Sequence, residues 1–166
     1  PVDAVGFSAG ASVILWLAAH HPRRFRRIVV AGVGANLFER DSDRWEVIAE
    51  AVRTGTSDNP QLRYFADLPE AVSSRDDKVG PEVRAAMSAF LTRPDRRSFT
   101  PEILAGVTVP VLVALGDRDF AGPADPLVEA LPDATHRLLR GVDHFATPKD
   151  FGVIDVALDF LGAQPF

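Results

Sequence analysis

The chain has 166 residues, of which 46% are hydrophobic and 25% are charged, and its formal net charge at pH 7 is −5. This length and composition are typical of a globular protein with one sizeable core, and the acidic balance argues against nucleic acid as a partner. No apolar run reaches the ~20 residues of a membrane span, and the absence of cysteine, which excludes disulfides, fits the reducing cytoplasm that we predict as its location.

The first residues predict a short strand that runs directly into a Gly-x-Ser-x-Gly turn around Ser8. Val2–Phe7 is short and rich in valine, as buried strands are, and residues 11–20 predict a largely apolar helix. A serine between such a strand and such a helix is typical of a nucleophile elbow, in which a sharp turn exposes the hydroxyl group. We expect Gly6 and Gly10 to be required because a side chain at either position would press on the neighbouring strand or helix. The alternative is a glycine-rich turn that contains a serine by chance.

Strand and helix patterns alternate through much of the remaining chain, which predicts parallel βα units. The further strands are predicted at Ile28–Val33, Val109–Leu115 and Ala134–Leu139, and two further helices at Asp125–Leu131 and Asp150–Leu161. The basic cluster Arg23–Arg27 lies between the first helix and the second strand. We interpret it as a solvated helix exit, where cations favour the negative end of the helix, with a phosphate or partner patch as the alternative.

The interval 36–105 interrupts this alternation, because it contains helix patterns and no convincing strand. Asp43 followed by Glu46 predicts a capped helix start. Glu82–Leu91 predicts a second helix, and the polar stretch Ser73–Lys78 predicts a mobile loop. We therefore divide the chain into core residues 1–35, an all-helical insertion at 36–105 and core residues 106–166.

Acids and a histidine follow the third and fourth predicted strands. A serine hydroxyl is a poor nucleophile, and it needs a general base that is itself oriented by a carboxylate. Asp117 and Asp119 follow the third strand, and Asp143 and His144 follow the fourth. The carboxyl ends of parallel strands meet at one edge of a sheet, so we expect His144 and one of these acids to lie near Ser8.

These motifs, in this order, resemble the α/β-hydrolase fold superfamily. Its members carry Gly-x-Ser-x-Gly, then an acid in a Gly-x-x-Asp turn two strands later, then Gly-x-x-His after the last strand. The resemblance covers the chain outside the insertion. It implies an α/β fold with a mostly parallel sheet flanked by helices, lacking the family's N-terminal strands, with the insertion as a helical cap. It also implies that Ser8 is the nucleophile, His144 the base, Asp119 the acid and the N–H of Ala9 an oxyanion donor.

Other polar residues are weaker candidates for the same roles. Asp117 stands where the family varies, and Asp143 adjoins His144, which usually directs its side chain elsewhere. Asn36 stands where some relatives place the acid, but an amide does not stabilise an imidazolium as a carboxylate does. The remaining histidines, which we expect to be structural or solvated, are His20, His21 and His136. Histidines and carboxylates show no metal-ligand spacing, and we predict neither a metal nor a cofactor.

The resemblance implies a serine hydrolase that cleaves a small carboxylic ester, thioester or lactone through an acyl-enzyme. The same triad serves amidases, C–C hydrolases and cofactor-free haloperoxidases, so the substrate stays open. A non-catalytic ligand-binding module and an inactive fragment of a larger hydrolase are the alternatives. The apolar residues of the insertion either shape the substrate pocket or form the cap's own core, which we favour for each of them: Trp45, Phe65, Leu68, Phe90 and Leu91.

In the family, the elbow strand lies in the middle of the sheet, and a loop upstream of it supplies a second oxyanion donor. No such segment precedes Val2–Phe7 in this sequence. We therefore expect this strand to present an unpaired edge that recruits a partner. An N-terminal half, a second chain or a second copy of this chain would cover it.

Overall fold

A computed structural model describes residues 1–39, 42–72, 80–93 and 99–163. The chain divides into two compact units, which we call the sheet unit, residues 1–39 with 98–166, and the helical unit, residues 40–97. That the helical unit acts as a cap stays a prediction. The mobile loop predicted at Ser73–Lys78 lies outside the described residues.

Among the residues described, the sheet unit contains four parallel strands in the order β1-β2-β3-β4, which confirms the predicted α/β class. The strands are β1 (Val2–Phe7), β2 (Phe25–Ala31), β3 (Val111–Gly116) and β4 (Ala134–Leu139). The helices of this unit are α1 (Ala9–His20), the short α5 (Pro101–Leu104), α6 (Asp125–Ala130) and α7 (Phe151–Leu161). Three single turns of 3₁₀ helix stand at Pro22–Arg24, Ala35–Leu37 and Thr147–Lys149.

The two central strands are buried on both faces, as their near-continuous runs of Val, Ile, Leu and Ala predict. Val30 and Val113 point to the face covered by α1 and α6, where they join Leu15 in the main core. Val29 and Leu112 point to the opposite face, which α7 covers. The alternation of side chains along each strand therefore separates two cores with one sheet between them.

The observed bounds of β2 differ from the prediction of Ile28–Val33. The strand ends before Gly32, whose φ of 66° takes the backbone into the left-handed region. It begins at Phe25, so Arg26 and Arg27 belong to the strand, and the interpretation of these two residues as a helix exit is wrong. The Arg26 side chain pairs with Asp3 on β1, with Nε 2.8 Å from the carboxylate. Arg27 donates to the Phe160 carbonyl at the end of α7, at 3.1 Å.

The helical unit is built from α2 (Ser42–Thr54), α3 (Pro60–Val72) and α4 (Pro81–Leu91). Arg84 on α4 joins all three, because its Nη1 lies 2.8 Å from the Val52 carbonyl on α2 and 2.8 Å from the Ala66 carbonyl on α3. The predicted helices of the insertion correspond to α2 and α4, whereas α3 was not predicted. The predicted cap of α2 by Asp43 concerns a side chain outside the described ones.

In the described parts of the chain, β1 has β2 as its one neighbour in the sheet and is therefore an edge strand. Two of its apolar side chains are exposed, Val2 at 61% and Val5 at 58%. Val13 and Leu17 on the adjoining helix α1 are exposed as well. The expected open edge is thus present among the described residues. As for membranes, none of the helices described is long and apolar enough to cross one.

Candidate active site

Ser8 stands in the sharp turn between β1 and α1. Its φ of 51° makes it the one non-glycine residue with a positive φ in the described parts of the chain. The strain is held by a hydrogen bond from its N–H to the Ala31 carbonyl on β2, at 2.9 Å. Strained backbone of this kind persists where the surrounding structure over-determines it, and it clusters at active sites. The turn has the geometry that a nucleophile elbow requires.

The two glycines of the turn do not have the same surroundings. A Cβ at Gly6 would lie 2.8 Å from the backbone nitrogen of Ala11 and 2.7 Å from the side chain of Ile14. A Cβ at Gly10 would meet no atom within 4 Å. The steric expectation therefore agrees with the structure at Gly6 and is wrong at Gly10, which faces open space.

The structure brings Ser8, His144 and Asp119 together at the carboxyl edge of the sheet. Nε2 of His144 lies 3.0 Å from Oγ of Ser8. Nδ1 of His144 lies 3.0 and 3.1 Å from the two carboxylate oxygens of Asp119. The imidazole is 5% exposed and the carboxylate is fully buried, so water competes little for either contact. The arrangement can carry a proton from the hydroxyl to the imidazole.

The Asp119 carboxylate fixes which nitrogen of His144 carries the proton. Its Oδ1 also accepts a hydrogen bond from the N–H of Ala121 at 2.8 Å, which holds the carboxylate in place. An ionised carboxylate only accepts hydrogen bonds, so Nδ1 is the donor of the neutral ring. Nε2 is then the acceptor, and it faces the hydroxyl of Ser8.

Asp117 supports the histidine loop instead of facing the imidazole. Its Oδ1 accepts a hydrogen bond from the N–H of Gly141 at 2.7 Å. Beside it, the N–H of Arg118 donates to the Val142 carbonyl at 3.2 Å. Gly116 permits this close approach, since a Cβ there would lie 2.0 Å from the same carbonyl oxygen. The acid loop and the histidine loop therefore contact each other through the Asp117 side chain and through backbone groups.

The other candidate polar residues are engaged locally. Asp143 accepts hydrogen bonds from the N–H groups of Phe145 and Ala146, which closes the turn after His144. Asn36 accepts one from the N–H of Gly34 at 3.0 Å.

The remaining histidines have separate surroundings. His20 stacks on Trp16 at 4.1 Å, and one ring nitrogen lies 2.8 Å from the Trp16 carbonyl. His21 ends α1 through its backbone N–H, which donates to the Leu17 carbonyl. His136 lies on β4 with a buried Nε2 that has no hydrogen-bond partner among the described residues.

Three phenylalanines that sequence analysis did not assign to the site contact the imidazole. The ring centroid of Phe120 lies 4.2 Å from that of His144, with the planes tilted by 35°. Phe7 lies at 4.8 Å, tilted by 40°, and Phe145 meets the ring edge-on at 5.7 Å. Their sequence positions give one indication of a place in the site, because each of them adjoins one of the three polar residues.

Two predicted features stay predictions at this point. Ala9 is the first residue of α1, and it is exposed beside Ser8. Its N–H therefore belongs to a helix start, where backbone donors lack partners within the helix. The apolar residues proposed for the substrate pocket all lie on helices of the helical unit: Trp45 on α2, Phe65 and Leu68 on α3, Phe90 and Leu91 on α4.

The structure resembles known hydrolases over its whole length. It aligns with MGS-M2, an α/β-hydrolase enzyme from a Medee basin deep-sea metagenome library, with a TM-score of 0.69, 21% identity and 99% of this chain covered. The chain has the α/β-hydrolase fold. The chain also aligns with the solved structure of carboxylesterase CesB from Bacillus subtilis, with a TM-score of 0.61, 17% identity and 99% of this chain covered.

The amino-acid sequence of the chain is similar to that of 3-oxoadipate enol-lactonase 2 of Acinetobacter baylyi. The two are 32% identical over 126 residues, which is 69% of this chain and 45% of that protein. No family model matches the sequence. The chain spans less than half of the lactonase, 66% of MGS-M2 and 61% of CesB.

Proposed function

We propose that this chain carries the catalytic triad of a serine hydrolase, with Ser8 as nucleophile, His144 as general base and Asp119 as the orienting acid. The observation that supports it is the pair of contacts at the imidazole, 3.0 Å to Ser8 Oγ and 3.0 Å to Asp119. The strained φ of Ser8 adds weight, since this turn is what a nucleophile elbow needs.

In this mechanism Ser8 Oγ attacks the acyl carbon while His144 Nε2 takes the hydroxyl proton. The tetrahedral intermediate collapses when His144 returns that proton to the leaving oxygen or sulfur, which leaves an acyl-enzyme. Water then attacks the acyl carbon while His144 takes a proton from it. The second tetrahedral intermediate collapses when His144 gives this proton to Ser8 Oγ, which releases the acid product and restores both side chains. Asp119 orients the imidazole and stabilises the imidazolium that forms in both steps.

The oxyanion would be bound by the N–H of Ala9 at the start of α1. One donor is fewer than this chemistry ordinarily uses, and removal of a donor costs roughly 10²–10³ in rate. We propose that the second comes with whatever covers the open edge of β1: an N-terminal half, a second chain or a second copy. The exposed apolar side chains of Val2 and Val5 on this edge strand, and of Val13 on α1, favour such a cover.

The substrate class that we propose is a small carboxylic ester, thioester or lactone. The 32% identity to an enol-lactonase favours lactones within this class. We also propose a cytoplasmic location, because a sequence without cysteine fits a reducing compartment.

The proposal is tested by fluorophosphonate labelling of the chain, followed by intact-mass measurement. We expect one adduct on the native chain and none on Ser8→Ala, because only an activated serine reacts. Ser88→Ala on α4 is the matched control, and it should label like the native chain. A folded native chain that takes no label would contradict the proposal that Ser8 is activated here. Hydrolysis of an aryl ester and a panel of lactones would then place the substrate.

A further inference from the structure

Three aromatic rings contact the imidazole of His144, and each belongs to a residue that adjoins a member of the proposed triad in the sequence. Phe7 precedes Ser8, Phe120 follows Asp119 and Phe145 follows His144. All three rings contact the imidazole, and Phe120 also contacts Phe145, with ring centroids 5.8 Å apart. We call these three residues the phenylalanine collar. Phe120 is the nearest member, at 4.2 Å.

The two hydrogen bonds of the imidazole require one ring orientation. Rotation about the Cβ–Cγ bond of His144 would remove Nδ1 from Asp119 and Nε2 from Ser8 at the same time. Ser8 Oγ cannot prevent this rotation, because the hydroxyl changes partner when it attacks a substrate. The rings of Phe120 and Phe7, tilted by 35° and 40° against the imidazole, restrict that rotation by contact.

The phenylalanine collar also lies against a group that becomes charged in the proposed reaction. The imidazole becomes a cation when it takes the Ser8 proton, and this cation is almost fully buried, with 4% of the residue exposed. The negative face of an aromatic ring attracts a cation within about 6 Å, most strongly where water is excluded. The Phe120 ring, with its centroid 4.2 Å from that of the imidazole, lies within this range.

We propose that Phe120 is a positioning residue for His144, which its aromatic ring holds in the orientation that faces both Ser8 and Asp119. This inference rests on the proposed serine hydrolase, since the orientation matters for turnover only if His144 is the base. It predicts that an aromatic ring at position 120 is required, and that an apolar side chain of similar reach is not sufficient.

The experiment compares three variants of the same chain. Phe120→Leu should lower kcat roughly tenfold, the size of effect that loss of an aromatic face beside a buried cation produces. KM should change little, since Phe120 acts through His144 and not through the substrate. Phe120→Tyr keeps the ring and should restore kcat. Phe151→Leu is the matched control, because Phe151 is 79% exposed on α7, and it should leave kcat unchanged.

A second measurement does not depend on turnover. A proton held between imidazole Nδ1 and a carboxylate gives a proton NMR signal far downfield of the amide region. We expect this signal in the native chain and in Phe120→Tyr, and a broadened or absent signal in Phe120→Leu as the ring moves and the proton exchanges with water.

The outcomes separate the two proposals. If Phe120→Leu matches Phe151→Leu in kcat and in the NMR signal, the positioning role is wrong. It is wrong as well if the native chain lacks the signal, or if Phe120→Leu raises KM and keeps the signal, which would make Phe120 a substrate contact. If the native chain shows the signal, loses it in Phe120→Leu and hydrolyses no substrate, the positioning role stands and the proposed hydrolase fails.

Discussion

The glycines at the two ends of the elbow provide a matched test of local packing. Gly6→Ala places a methyl group against the backbone of Ala11 at 2.8–2.9 Å, where it has no room, and should destabilise the chain by about 1–3 kcal/mol. Gly10→Ala meets open space on the first turn of α1, and should be neutral or stabilising by up to about 1 kcal/mol. Denaturant titration of both variants measures the difference. Equal destabilisation by the two substitutions would contradict this account.

Substitution of the two acids distinguishes orientation of the base from support of its loop. Asp119→Asn should lower kcat by about 10⁴, because the amide orients the imidazole in the wrong tautomer, as in other serine triads. Asp117→Asn should keep its activity, since the amide oxygen can still accept the hydrogen bond from Gly141. Steady-state kinetics on one ester suffice. The assignment of the acid is wrong if Asp117→Asn is inactive and Asp119→Asn is not.

The polar residues of the site could be predicted from sequence because motif and chain order constrain them. Each of the three residues follows a strand that a short apolar run predicts: Ser8 follows β1, Asp119 follows β3 and His144 follows β4. The phenylalanines of the collar adjoin these residues in sequence, but adjacency alone does not place a ring against the imidazole. A phenylalanine such as Phe120 reads as ordinary core in a sequence, and only the folded loops show that its ring lies against His144.

The Asp117 side chain makes one of the contacts between the acid loop and the histidine loop. Asp117→Ala removes the acceptor for the Gly141 N–H, a loss of roughly 1 kcal/mol in unfolding free energy, and should loosen the turn that carries His144. We expect a lower melting temperature and a lower kcat than in Asp117→Asn, which keeps the acceptor. Melting curves and kinetics of the pair test this. Identical behaviour of the two variants would show that the hydrogen bond does not hold the loop.

The ion pair between β1 and β2 makes stability depend on pH. The Arg26 side chain, hydrogen-bonded to Asp3, holds the pKa of that carboxyl below its ordinary value. A carboxyl with a lowered pKa in the folded state stabilises the fold above its unfolded-state pKa, and this contribution is lost as the pH falls through the folded-state pKa. Asp3→Asn should therefore show a smaller loss of unfolding free energy between neutral and acid pH than the native chain. An unchanged loss would mean that the pair contributes nothing in solution.

Element bounds were predictable where apolar runs are clean and less so where local rules conflict. The bounds of β4 agree with prediction, whereas β2 reaches back to Phe25 through two arginines that a run of apolar residues does not include. Helix α3 was missed because Pro60 and Pro69 argue against a helix. Pro60 stands at the first position, which suits proline. Pro69 lies inside a helix that also packs against α2, a contact that the local sequence does not show.

The chain enters the helical unit shortly after Leu37 and returns to the sheet unit shortly before Phe99. The N–H of Phe99 donates to the Leu37 carbonyl at 3.1 Å, so these two residues of the sheet unit are held side by side. Residues 40–97 could therefore be replaced by a short glycine-serine linker. We expect the remaining sheet unit to fold and its Ser8 to react with the fluorophosphonate. Circular dichroism, thermal melting and fluorophosphonate labelling report on it. A chain that is unfolded without residues 40–97 would show that the two units depend on each other.

The open edge of β1 was predictable from the whole chain and from no single motif. It followed from the position of the elbow strand relative to the family's sheet, and the described residues place β1 at the end of the strand order. What covers the edge is not encoded in Val2 or Val5, because an exposed apolar strand accepts any complementary surface. Sequence patterns within one chain describe its own contacts and not those of its partner.

The contact between Ser8 and His144 joins residues 136 positions apart in the chain. During synthesis, Ser8 is made long before the histidine that activates it in the proposed mechanism. It would behave as an ordinary serine until His144 has been added and β4 has joined the sheet. Contacts of such long sequence separation form late, since closing a large loop is entropically costly before other contacts compensate. The reactivity of Ser8 would thus measure completed folding, and an unfinished chain would carry no active nucleophile.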